Sequence, residues 1–150
     1  MRYWCLVTSK ENWKVCKDNN VFGFDYRYFI TLKNFIKKGD KAIVYSHGGD
    51  FAAEVEIDSD FYYDKNNIGW TKNGKPFLFP YRIKLKIIKE GILHIAFSTE
   101  VKNEEVEHNN PNPIDNITFI ADKGRTWNIY FQVSILPIPK EDFDYVSNNL

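Results

Sequence analysis

The sequence predicts an α+β fold: a mostly antiparallel, barrel-like sheet with short peripheral helices, in a single domain over 1–150. Three observations predict it. Segments of period-two apolar alternation outnumber those of helical spacing. Two alternating strands carry opposite charge on their polar faces, which suits antiparallel pairing. No internal repeat and no linker divides the chain, and 150 residues at 43% hydrophobic and 17% aromatic content suffice for one core.

The elements follow in order. Tyr3 to Val7 is a continuous apolar run, the pattern of a strand buried on both faces, and is expected at the centre of the fold. Thr8-Ser9-Lys10-Glu11 has the form of a capping box, so a helix should start there, run to about Lys17 with Trp13 and Cys16 on one side, and end at Asn19-Asn20. Phe29, Leu32, Phe35 and Ile36 are helically spaced and stop at Lys37-Lys38-Gly39-Asp40. Ala42 to Ser46 and Phe51 to Asp58 form a hairpin around His47-Gly48-Gly49-Asp50, with Phe51, Ala53, Val55 and Ile57 on one face. Phe61 to Pro80, with Asn-Asn, Asn-Gly and two prolines, is a long loop of the kind that often holds function. Tyr81 to Ile87 alternates with Arg82, Lys84 and Lys86, and is expected beside the strand bearing Glu54 and Glu56, whose carboxylates it would pair in solvent. Ile92 to Phe97 fits helix or strand, 98–116 is loop, and Ile117 to Ala121 and Trp127 to Ile135 read as strands around a turn at Asp122-Lys123-Gly124-Arg125. A last helix is expected from about Lys140 to Asn148.

Composition excludes several functions. Apolar runs fall far short of the about 18 residues of a spanning helix, and the N-terminus lacks a signal-peptide pattern, so no membrane partner and a cytoplasmic location are expected. Cys5 and Cys16 read as buried thiols, and with three scattered histidines they imply no metal; no cofactor is expected. The 20 basic and 20 acidic residues are unevenly spread, with 9 basic against 4 acidic in 1–46. That allows one positive face, although distribution alone favours ordinary solvated charge.

Catalytic signatures are absent: no phosphate loop, nucleophile elbow, His-Glu-x-x-His or Cys-x-x-Cys. His94 and His108 read as surface or core residues, and His47 by the hairpin tip is a minor candidate. The aromatics say more, because a flat base is held by stacking. Trp13, Phe22, Phe24, Tyr26, Tyr28, Tyr45, Phe79 and Tyr81 lie near turns, interleaved with Arg27, Lys33 and Lys41 as expected phosphate contacts.

Six landmarks in order carry a resemblance across essentially the whole chain. They are Tyr3-Trp4-Cys5-Leu6-Val7-Thr8, Asn12-Trp13, Val21-Phe22-Gly23, Lys38-Gly39-Asp40-Lys41 leading to Val44-Tyr45, Pro80-Tyr81-Arg82-Ile83-Lys84, and Leu136-Pro137-Ile138-Pro139-Lys140-Glu141-Asp142-Phe143. Together they resemble the EVE domain family in its small archaeal-type form. The resemblance implies a PUA-like barrel related to the YTH readers of methylated adenine. It also implies a base pocket between the end of the first strand and Val21 to Tyr28. By position, Thr8 and Ser9 would give polar contacts, Phe22 one wall and Gly23 close backbone approach. Asn12, Trp13, Tyr45, Ser46 and Tyr81 would complete the lining. This chain departs from the family in carrying Phe22 where Trp is common and Asp25-Tyr26-Arg27-Tyr28 where an Arg-Asn pair is typical. The expected function is a non-catalytic module that reads a modified, methylated base in RNA or DNA. The alternatives are a small hydrolase of a modified nucleoside, using Thr8, Lys10 and Glu11, and an adaptor that meets a protein partner.

Overall fold

The N-terminal apolar run is strand β1 (Tyr3–Thr8). Trp4 and Leu6 enter one core and Cys5 and Val7 another, so both faces are buried and no polar residue interrupts the run. The structure, a computed structural model, describes residues 1–95, 113–124 and 127–150. Helix α1 (Lys10–Asn19) follows and ends at Asn20, whose φ of 52° is left-handed. Strand β2 (Val21–Phe24) leads through a 3-10 helix at Tyr26–Tyr28 into the short α2 (Phe29–Asn34). Strands β3 (Lys41–Ser46) and β4 (Asp50–Ile57) make the expected hairpin. After them come β5 (Tyr62–Tyr63), the small hairpin β6 (Thr71–Lys72) and β7 (Lys75–Pro76), the long β8 (Tyr81–His94), β9 (Ile135–Pro137) and α3 (Lys140–Asn148).

The main sheet runs β2-β8-β4-β3-β1-β9, with β5 also beside β8. All its pairs are antiparallel except β1 with β3. The expected barrel takes the form of a curled half-barrel and does not close: among the described residues β2 and β9 end the order. Nor is β1 central in the order, since only the three-residue β9 lies beyond it. Its sequence encodes burial on two faces, which helices and loops supply without a central position.

Other differences have local causes. The side chain that caps α1 is Ser9, which accepts from the Asn12 N–H at 3.1 Å, because Thr8 is still the last ladder residue of β1. A register shift between Phe51 and Ala53 turns Phe51 to the opposite core from Ala53, Val55 and Ile57. Strands β4 and β8 are neighbours as expected, yet Glu54 and Glu56 face Lys89 and Lys86, not Arg82 and Lys84. Glu54 is buried and accepts from the Ser147 hydroxyl on α3, so it is no solvated partner. Arg82 is buried too, paired with Asp64 at 3.2 Å and lying over the Trp70 ring. Strand β8 runs on to His94, which resolves the ambiguity for Ile92 to His94 in favour of strand. Ile117 to Ala121 forms no strand, and Trp127–Phe131 is a 3-10 helix; the strand in that region is Ile135–Pro137. The apolar spacing there fills the core around Ile117, Ile120 and Phe131 from irregular backbone. The remainder of the expected 98–116 loop before Pro113, the Ala96 and Phe97 positions, His108 and Arg125 lie outside the described residues.

Candidate functional site

Strand β1 delivers Thr8 and Ser9 to the rim of the sheet. There the Thr8 carbonyl accepts from the His47 N–H at 2.9 Å, and the Val7 N–H donates to the Ser134 carbonyl at 2.9 Å. These contacts extend the ladders past both neighbouring strands and open a cleft of about 710 Å³ beside the first turn of α1. One wall is the Asp25 to Tyr28 turn, and another is Phe131 to Ser134. The Ser134 N–H donates to the Tyr28 hydroxyl at 2.8 Å and ties them together. The β6/β7 hairpin supplies a third wall through Thr71, Lys72, Asn73 and Gly74. It is held by Asn12, whose amide accepts from the Thr71 N–H at 2.8 Å and donates to the Thr71 carbonyl at 2.7 Å. Tyr28 and Phe79, both half-buried, also line the cleft, as does Phe131, whose ring is buried against Tyr45.

The charge at the mouth is mixed and locally paired. Arg27 grips the Asp25 carboxylate through Nε at 3.2 Å and a terminal nitrogen at 3.0 Å. Partial burial pushes the Asp25 carboxyl up, but hydrogen bonds from Arg27 and the charges of Arg27 and Lys72 more than offset it and hold it below its ordinary value. Among the described residues no group of His, Cys, Asp and Glu side chains is placed to hold a metal.

Of the sequence-predicted residues, Thr8, Ser9, Asn12, Arg27 and the minor candidate His47 line this cleft. Phe22 and Gly23 lie beneath it, at a void of about 30 Å³ shared with Trp70 and Phe79. Phe22 is 2% exposed and packs on Phe24 at 5.0 Å. A Cβ on Gly23 would stand 2.5 Å from the Trp70 ring, so this glycine makes room for Trp70 and Phe79. Trp13 and Ser46 are buried away from the cleft. Tyr45 reaches it only through Phe131, on which it stacks at 3.8 Å. Tyr81 packs among Tyr26, Phe29 and Tyr63. Lys33 lies over the Phe29 ring, and Lys41 starts β3, at the end remote from the cleft. Thr8 and Glu11 line the cleft, but Lys10 extends to Asp50 at 3.4 Å, so the trio of the hydrolase alternative is not brought together. The sequence marks the Phe61 to Pro80 segment that carries the β6/β7 wall as a place for function but names none of that wall's residues, and it names nothing in the Gln132 to Ser134 wall. The Asn-Gly pair at 73–74 was the available signal for the first.

Comparison with known families matches the EVE domain over residues 2–149. A UPF0310 protein of Pyrococcus horikoshii is 29% identical, covering 100% of this chain and 99% of the relative. One from Pyrococcus abyssi is 28% identical, with 100% of each covered. Among solved structures, the YTH domain of the Zygosaccharomyces rouxii MRB1 protein, in complex with N6-methyladenosine RNA, aligns with TM-score 0.59 at 14% identity, covering 99% of this chain and 85% of that one. Human THYN1, in complex with DNA containing 5-methylcytosine, aligns with TM-score 0.56 at 15% identity, covering 99% and 97%. The likeness to those structures is one of fold, and the match over residues 2–149 places this chain in the EVE domain family.

Proposed function

We propose that the protein binds a nucleic-acid strand by taking one modified, methylated base into the cleft, without transforming it. The observation that carries this reading is the cleft itself, in which the half-buried Tyr28 and Phe79 meet the polar groups of Thr8 and Ser9 with Arg27 and Lys72 at the mouth. Its volume of about 710 Å³ suits a flipped-out nucleotide. Support also comes from the two fold neighbours, which hold methylated RNA and methylated DNA. Stacking on a ring supplies about 1 to 3 kcal/mol, and Arg27 and Lys72 hold flanking phosphates without reading sequence. Phe22 borders a small void that shares Thr8, Asn12, Phe79 and Ser134 with the cleft.

The test is a binding screen of methylated and unmodified RNA and DNA single strands at fixed salt. A methylated strand should bind best. Tyr28→Ala and Phe79→Ala should each cost roughly 5- to 150-fold, the equivalent of that stacking energy, and reduce the preference for the methylated base. Arg27→Gln should weaken both strands equally. Equal affinity for every strand, unmoved by either ring variant, would overturn the reading.

A further inference from the structure

The chain leaves the cleft wall at Arg27 and Tyr28, and about ten residues later the same segment lines a second, separate hollow of about 330 Å³. Arg2, Phe35, Lys37 and Lys38 line it. The hollow lies at the start of β1 and the cleft at its end. Six strand residues at about 3.3 Å each set the two about 20 Å apart.

The surface between them is cationic. Lys33, Lys37 and Lys38 are exposed, and among the described residues neither they nor Arg2 form an ion pair. Two carboxylates lie nearby. Asp40 is buried and already accepts from the Arg2 N–H, the Lys37 N–H and the Trp4 indole. Asp60 accepts from the Lys38 N–H at 3.5 Å. Rings stand among the cations: Tyr26 is 74% and Phe35 42% exposed, and the Arg2 guanidinium sits 4.9 Å over Phe35. Cations interleaved with exposed rings match a single strand, which offers phosphates to the first and bases to the second. An acidic protein surface would satisfy the lysines and leave the rings unused.

We infer that this face, from Tyr26 to Lys38 with Arg2 beside it, carries the single strand that flanks the base held in the cleft. The inference rests on the cleft reading for where the strand starts. At the stacked rise of about 3.4 Å per nucleotide, about 20 Å corresponds to at most about six nucleotides, and an extended strand needs fewer. A trinucleotide seated in the cleft stops short of the hollow, and a strand of about twelve reaches it.

The double variant Lys37→Gln/Lys38→Gln tests this, because both lysines serve the fold through backbone groups that the change leaves intact. On a twelve-nucleotide strand with one methylated base near its end, the variant should reduce the slope of log affinity against log salt by about 1.4, which is two single-strand phosphate contacts. The advantage of that strand over the methylated trinucleotide should shrink by about 10-fold, with trinucleotide binding unchanged. Wild-type affinity and slope in the variant would overturn the face, and the cleft reading would survive if the methylated base is still preferred. If the variant weakens the long strand while no strand is preferred and Tyr28→Ala has no effect, the face stands and the cleft reading falls. If neither protein binds any strand, but the wild type binds vesicles of anionic lipid and the variant does not, the face belongs to a membrane and the inference is overturned.

Discussion

Asp142 is 1% exposed, yet its carboxylate is fully engaged: Oδ1 accepts from the Thr118 N–H at 2.9 Å, and Oδ2 from the Thr118 hydroxyl at 2.9 Å and the Phe119 N–H at 2.8 Å. It pins irregular backbone to the first turn of α3. Asp144, two residues on, makes a solvent-exposed pair with Lys140 at 2.6 Å. Asp142→Ala removes the acceptor of two part-buried N–H groups and should cost roughly 1 to 3 kcal/mol, whereas Asp144→Ala should cost under about 1 kcal/mol. Denaturant midpoints of the two variants check this, and similar losses would refute it. Neither side chain advertises its role in the sequence, since burial by a strandless segment leaves no periodic pattern. The same limit governs the site. Thr8, Ser9 and Asn12, which the family resemblance implies by position, line the cleft because they sit at the junction of β1 and α1. Phe22 and Tyr45 are buried outside the cleft lining, a distinction the sequence does not carry, because a ring near a turn looks the same there whether it faces a cleft or packs behind it.

The β6/β7 hairpin pairs with no other strand of the described structure and has two residues on each side, too few to hold itself in water. Its turn is favourable, since Asn73 and Gly74 adopt φ of 54° and 76° as a two-residue Asn-Gly loop requires. Its position depends on two anchors, the Asn12 amide and the buried Trp70, whose indole donates to the Cys16 sulfur at 3.4 Å. Asn12→Ala should therefore release one wall of the cleft and leave the sheet intact. Hydrogen exchange at Thr71 should accelerate by at least about 10-fold, and affinity for a methylated trinucleotide should fall, while the salt dependence due to Lys37 and Lys38 remains. Unchanged exchange at Thr71 would show that Trp70 suffices. Elements with a strong period, β1, α1, β3, β4, β8 and α3, were legible because local pattern and tertiary burial agree in them. Trp127 to Ile135 was not: its alternating apolar residues fill the core from a 3-10 helix, where neighbouring aromatic rings override strand propensity.

Across the whole molecule, the sheet separates two cores, and each holds one free thiol, Cys16 on one side and Cys5 on the other. Burial pushes both thiols up, Cys16 to about 12 despite the Trp70 hydrogen bond, and burial pushes the Tyr45 phenol up to about 12 as well. The folded protein therefore keeps protons that the unfolded chain releases from about pH 9 upward. Unfolding then releases protons, so stability falls as pH rises through this window, by about 1.4 kcal/mol per pH unit for each group that titrates only in the unfolded chain. On the acid side the sign reverses. The hydrogen bond from His94, with Lys10 adding its own, holds the Asp50 carboxyl below its ordinary value, and Asp25 is held down likewise, so their contribution is lost only as pH falls below about 4. Because the alkaline groups lie in both layers, the loss should appear as one cooperative transition and not as the peeling of one face. Thermal melts from pH 7 to pH 10.5 should show a midpoint that holds to about pH 9 and then declines steeply. The double variant Cys5→Ala/Cys16→Ala should start lower at pH 7, from the cavities it creates, and decline less steeply above pH 9. An alkaline decline as steep as that of the wild type would assign the effect to the buried phenol and exclude the thiols.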